Sequence, residues 1–154
     1  MDIEEPVKLD DVKMLIRQIK KDFPDYQLSM APVQYALQND EPGMGGFIYK
    51  DLYNSEEGKM IDYFCGQFYA DFSKNAYDQV VSNNYPSEKV IIGMISGQNF
   101  NLIKEEIAKI FTKYSDKFGG VFIWEYFNAP EKWSEEIAKL MVDICFDNYQ
   151  CNIC

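Results

Sequence analysis

The chain of 154 residues contains no histidine. That absence removes the side chain most used for proton transfer near neutral pH and for holding transition metals. Acid–base chemistry would then fall to carboxylates, tyrosine or lysine. Positive charge is also scarce: 15 Lys and Arg face 25 Asp and Glu, a formal net charge of −10. Such a chain repels a phosphate backbone, which argues against nucleic acid as a partner. No apolar run is long enough to cross a membrane, and Met1-Asp-Ile-Glu-Glu-Pro6 has none of the marks of a signal peptide. As written, the chain reads as soluble and cytoplasmic; a secreted protein would need a further N-terminal portion.

Cysteine is sparse, with four residues. Cys65 lies in an expected strand and reads as a buried, inert thiol. Cys145, Cys151 and Cys154 follow a C-x5-C-x2-C spacing. Three thiolates without a fourth ligand or any histidine fall short of a zinc site, so no metal and no other cofactor is expected. A disulfide would need an oxidising compartment that nothing in the sequence announces.

What the chain does have is apolar mass and a repeating pattern. A hydrophobic content of 47% over 154 residues suits one domain with a real core, and no linker divides it. The stretch Ile61-Asp-Tyr-Phe-Cys-Gly-Gln-Phe-Tyr69 is rich in residues that fit a strand, and Gln67 and Tyr69 make its C-terminal end polar. Tyr26 to Pro32, Lys89 to Gln98 and Gly119 to Asn128 repeat that shape. Amphipathic segments of helical length lie between them, for example Val12, Leu15, Ile16 and Ile19 behind a cap at Asp10 or Asp11. This alternation predicts a parallel sheet with helices outside it. Met1 to Glu5 reads as the tail of a further strand. A closed eight-stranded barrel takes about 250 residues, so this chain can supply only half of one. The fold class expected is α/β: the C-terminal half of a (β/α)8 TIM barrel, one partial domain over residues 1–154.

In such sheets chemistry collects at the C-terminal strand ends. Two acids one residue apart on a strand, Asp2 and Glu4, point to one face. Held close together, they cannot both ionise cheaply, so one keeps a proton near neutrality. Tyr and Trp at strand tips present flat apolar faces with polar handles, which suits sugars. Taken alone, Asp2 and Glu4 could be a solvated chain end and Trp124 a core residue. Residues 33–46, with Gly43, Gly45 and Gly46, form either a mobile surface loop or a substrate-facing wall carrying Gln34, Tyr35 and Asn39.

The ordered set Asp2-Ile-Glu4, Leu28-Ser-Met-Ala-Pro32, Asp62-Tyr-Phe-Cys-Gly-Gln-Phe-Tyr69, Val90-Ile-Ile-Gly93 and Gly119-Gly-Val-Phe-Ile-Trp-Glu125 resembles the family 18 glycoside hydrolases. The likeness is nearest to small chitinases of the plant class III type and to endo-β-N-acetylglucosaminidases. Asp2-Ile3-Glu4 matches the last three positions of that family's D-x-x-D-x-D-x-E motif; its first Asp residues and the first three barrel strands have no counterpart. The resemblance implies Glu4 as general acid and Asp2 as support for the substrate's N-acetyl group. It implies Tyr69 and Gln67 as hydrogen-bond partners of the sugar, Trp124 as its apolar floor and Met30 as a further substrate contact. The implied partner is an N-acetylglucosamine-containing polysaccharide or glycan, cleaved by substrate-assisted retaining hydrolysis. An N-terminal half-barrel, or a second copy of the chain, would have to complete the cleft. The competing reading is a non-catalytic carbohydrate-binding remnant.

Overall fold

The computed structural model describes residues 1–151, with side chains described as far as Phe146. Four strands, β1 (Ser29–Met30), β2 (Tyr63–Gln67), β3 (Val90–Ile95) and β4 (Val121–Trp124), form one sheet in chain order. Every pairing is parallel, with Met30 opposite Phe64, Cys65 opposite Ile91, Gly93 opposite Phe122 and Ile95 opposite Trp124. Helices α1 (Leu9–Asp22), α2 (Gln34–Gln38), α3 (Tyr49–Tyr53), α4 (Lys74–Ser82), α5 (Phe100–Tyr114) and α6 (Trp133–Cys151) fill the connections. The expected half-barrel architecture is the one observed. The strands are shorter than the apolar runs that announced them.

Met1 to Glu5 is an extended tail rather than a strand. It nevertheless continues the sheet edge. The Met1 ammonium donates to the Ser29 carbonyl, and Ala31 N–H donates to the Met1 carbonyl at 2.9 Å. Those two bonds are a parallel bridge with Met1 opposite Met30. Asp2 and Glu4 therefore leave from the C-terminal rim beside β1.

The core lies between the sheet and the helices. Met30, Phe64, Ile92 and Met94 are at most 2% exposed and meet Val12 and Ile16 of α1, Ala76, Tyr77 and Val80 of α4, and Ile103, Ile107 and Ile110 of α5 in one apolar cluster. Burying such a side chain fully is worth about 1.5–3 kcal/mol. Tyr77 brings a polar group into this core, and its hydroxyl donates to the Ser87 and Val90 carbonyls at 2.9 and 3.0 Å. Burial pushes that phenol well above its ordinary pKa.

Local signals explain the helix starts, with one correction. Ser73 Oγ caps α4 by accepting from Ala76 N–H, and Asn99 Oδ1 caps α5. Neither Asp10 nor Asp11 caps α1. The helix begins earlier, at Leu9, and both acids sit in its first turn, where they oppose the helix dipole. Leu15, expected on the buried face, is 47% exposed beside Met14 at 59%. α6 likewise exposes Val142 and Phe146, at 51% and 67%. Both helices thus leave apolar surface open to solvent.

Residues 33–46 are packed rather than loose. They hold the short helix α2, and a Cβ on Gly43 or Gly45 would collide with Tyr49, Phe47 or Ile3. Val7 N–H donates to the Gly45 carbonyl, which ties this segment to the N-terminal tail. Among the cysteines, Cys65 and Cys145 are free thiols of intermediate exposure; Cys154 and the side chain of Cys151 lie outside the described residues. No helix among the described residues is long and apolar enough to cross a membrane.

Candidate active site

The strand period of two divides the sheet residues between faces. The helix-facing set is Met30, Phe64, Ile92 and Met94. The opposite, concave face carries Ser29, Tyr63, Cys65, Gln67, Ile91, Gly93, Ile95, Phe122 and Trp124 in register. Gly93 is required there because Phe122 lies across it: a Cβ would stand 2.2 Å from the ring.

Four of the six expected site residues come together at the C-terminal rim of this concave face. Gln67 donates through Nε2 to the Ala31 carbonyl at 2.9 Å and to Asp2 Oδ1 at 3.3 Å. Its amide thus ties the N-terminal tail, β1 and β2 at one point. Tyr69 stands two residues beyond β2, half-buried. Burial first, then the charges of Asp2, Cys65 and Glu4, push its phenol up to about 12. A tyrosine in that state stays protonated at neutral pH and remains a hydrogen-bond donor. Asp2 and Glu4 are exposed to solvent and line a hollow of about 410 Å3 with Ile3 and Glu5.

Trp124 sits on the same rim, two strands from β2, or about 10 Å across the sheet. It is 58% exposed, so the reading as a core residue does not hold. With Ile95, Ser96, Gly97, Glu125 and Asn128 it lines an open hollow of about 370 Å3. The Trp124–Glu125 peptide is cis. Tyr126 and Phe127 follow it, 75% and 95% exposed.

Met30 requires a correction. It is 0% exposed and faces the helices, opposite Phe64, so it has no surface to offer a ligand. The strand register, invisible in a short run of Leu28-Ser-Met-Ala-Pro32, turns it into the core. Asp62 proves structural: its Oδ2 accepts from Leu28 N–H at 2.6 Å and from Lys20 Nζ at 3.0 Å, at the opposite rim. Gln34 and Tyr35 begin α2 just beyond β1, and the buried Gln34 Oε1 accepts no hydrogen bond from the described residues.

Sequence reasoning passed over Tyr49, whose phenol is raised by burial and by the Asp2 charge. It also passed over Ser96 and Gln98, which were visible only as a polar strand end. No group of three or more Cys, Asp or Glu among the described residues is placed to hold a metal ion. A hollow of about 670 Å3 lies in the outer layer between α5 and α6, bordered by the Lys104–Glu136 and Lys139–Asp143 ion pairs. It shares no residue with the rim.

Comparison with known proteins bears on the fold. No protein-family model matches the sequence, and no curated protein matches it. Solved structures do. A fungal endo-β-N-acetylglucosaminidase from glycosyl hydrolase family 18 is 29% identical, with a TM-score of 0.78 over 93% of this chain and 54% of its own. The chitinase ChiC from Aspergillus fumigatus is 26% identical, with a TM-score of 0.75 over 91% of this chain and 56% of its own. The chain spans about half the length of these relatives. Its fold resembles that of the family 18 glycoside hydrolases, as one half of their (β/α)8 barrel.

Proposed function

We propose that the chain is the C-terminal half of a chitinase-like glycoside hydrolase, cleaving β-1,4-linked N-acetylglucosamine once a complementary half-barrel completes the cleft. One observation carries the reading. Asp2, Glu4, Gln67 and Tyr69 converge at the C-terminal rim of the concave face, in a chain similar to a family 18 endo-β-N-acetylglucosaminidase and a chitinase.

The chemistry follows from the groups available. Without histidine, a carboxyl must supply the proton, and in this reading Glu4 gives it to the leaving glycosidic oxygen. The N-acetyl carbonyl oxygen of the substrate attacks the anomeric carbon in place of an enzyme nucleophile. Asp2, held by Gln67, supports the positive charge that develops on that acetamido group. Tyr69 donates a hydrogen bond to it. Water then attacks the anomeric carbon from the vacated side, and the Glu4 carboxylate takes its proton. Two displacements give net retention. Trp124 offers a flat apolar surface to a neighbouring ring.

A non-catalytic carbohydrate-binding module is the second reading. The wide exposure of Trp124, Tyr126 and Phe127 favours it, since an aromatic surface can bind sugar without turnover.

The test is hydrolysis of a chitin oligomer by the chain fused behind the N-terminal half of a family 18 barrel. Glu4→Gln keeps the shape and removes the proton donor, so turnover should fall about 10²–10⁴-fold while binding survives. Tyr69→Phe should cost less, because only one hydrogen bond is lost. Equal rates for the fusion and its Glu4→Gln form would end the catalytic assignment and leave the binding module.

A further inference from the structure

β3 leaves the sheet through Ile95-Ser96-Gly97-Gln98, a tight turn in which Gly97 takes φ +90. The turn is anchored on both sides. Gln98 N–H donates to the Ile95 carbonyl at 3.3 Å, and the next residue, Asn99, caps α5 through its side chain. From this fixed base two side chains reach in opposite directions. Gln98 Oε1 accepts from Ile95 N–H at 2.9 Å, and its Nε2 donates to the Tyr69 carbonyl at 3.1 Å. Ser96 Oγ donates to the Glu125 carbonyl at 2.7 Å and accepts from Glu125 N–H at 3.0 Å. Ser96 N–H donates to the Trp124 carbonyl at 2.6 Å.

Tyr69 and Glu125 both lie past the ends of their strands, where sheet pairing no longer holds the backbone. We infer that Ser96 and Gln98 are positioning residues: Gln98 sets Tyr69, Ser96 sets Trp124, and the β3 exit thereby fixes the spacing between the hydrogen-bonding and stacking parts of the rim. The use of that spacing for a sugar rests on the proposed glycosidase reading; the positioning itself does not. Site geometry of this kind depends on a supporting shell, because small displacements of a contact group cost disproportionately in rate.

The experiment uses the 154-residue chain at micromolar concentration. Tyr69 is followed by its nitration rate, mapped by peptide mass. Trp124 is followed by acrylamide quenching in a Trp133→Phe background, which leaves it the sole tryptophan. Nitration proceeds through the phenolate, and the groups facing Tyr69 are Asp2, Glu4 and Cys65. A phenol released from about 12 toward the ordinary 10 gains up to about 100-fold in phenolate, each unit being tenfold. Gln98→Ala should therefore speed Tyr69 nitration and leave Trp124 quenching unchanged. Gln98→Met, which keeps the length of the side chain, has no N–H to donate and adds no charge, should do the same. Ser96→Ala should alter Trp124 quenching and spare Tyr69, and Ser96→Thr should restore it. If an alanine variant fails to fold, Gln98→Met decides for Tyr69 and Ser96→Cys, which keeps the size but weakens both bonds to Glu125, decides for Trp124. Unchanged signals in the folded bond-breaking variants, or changes shared equally by both reporters, overturn the inference. In the fused barrel, Gln98→Ala and Ser96→Ala should both lower kcat/KM. If the fusion shows no turnover while the two reporters separate as expected, the glycosidase reading fails and the positioning roles stand.

Discussion

On the helix-facing side of the sheet, Met30, Phe64, Ile92 and Met94 are at most 2% exposed. On the concave side, Tyr63, Cys65, Ile91, Ile95 and Phe122 are only half-buried, and Trp124 is 58% exposed. The same strands supply both sets, so propensity is equal and packing alone separates them. The outer face is completed by helices that the chain itself provides. The inner face, and the helix surfaces at Met14 and Leu15 and at Val142 and Phe146, stay partly open to solvent. Every residue assigned to the candidate site, Met30 excepted, stands on the unfinished side. Stability and function are thus divided between the faces, as barrels of this kind divide them between core and rim.

Truncating one side chain on each face should break the comparison most sharply. Phe64→Ala removes a fully buried ring packed edge-on against Tyr53 and Tyr85 and should cost about 3–5 kcal/mol. Ile91→Ala, half-buried on the concave side, should cost about 1 kcal/mol. Urea denaturation midpoints measure both. Equal losses would mean that the concave face is already a finished core.

A solution measurement sharpens the same contrast. Half-covered apolar faces and free strand edges promote association. The isolated chain should self-associate in sedimentation velocity and bind a hydrophobic dye. Joining the complementary half-barrel should reduce both. A sharp monomer peak with a cooperative, reversible melt would show the concave face to be stable in water as it stands.

The smallest expected effect concerns Asp62, at the rim away from the site. The Leu28 N–H donated to it, and then Lys20, hold its carboxyl below the usual range despite partial burial. A depressed folded pKa gives stability that is complete above the unfolded value near pH 4 and is lost as pH falls through the lower folded value. Asp62→Asn should lower stability at neutral pH by about 1 kcal/mol, allowing for its partial exposure. The difference from wild type should vanish in strong acid, as pH-dependent urea midpoints would show. A constant difference at all pH values would assign the effect to packing.

Much of the fold was legible because apolar runs and helical periodicity report burial directly. The parallel order followed from strand–helix alternation, and the polar strand ends at Gln67, Tyr69 and Trp124 marked the rim. Register was not legible over β1. With two paired residues, the period of two could not say which way Met30 points, and it points into the core. Residues 33–46 read as loose because glycine suggests freedom, whereas Gly43 and Gly45 serve close packing against Tyr49 and Phe47. Ser96 and Gln98 were hidden for a different reason. Their partners are backbone groups of Tyr69, Trp124 and Glu125, about 30 residues away in sequence, and backbone acceptors leave no trace in side-chain patterns.

Under the proposed function, the concave face is the inner wall of a closed barrel. Cys65 lies on that face, half-buried, and burial raises its thiol pKa. Its reaction rate with a thiol reagent, mapped by peptide mass to separate it from the other cysteines, reads the face directly. Fusion behind the N-terminal half of a family 18 barrel should slow that rate by at least about tenfold, as inner-face groups become protected by the closed structure. An unchanged Cys65 rate in a folded fusion would contradict the claim.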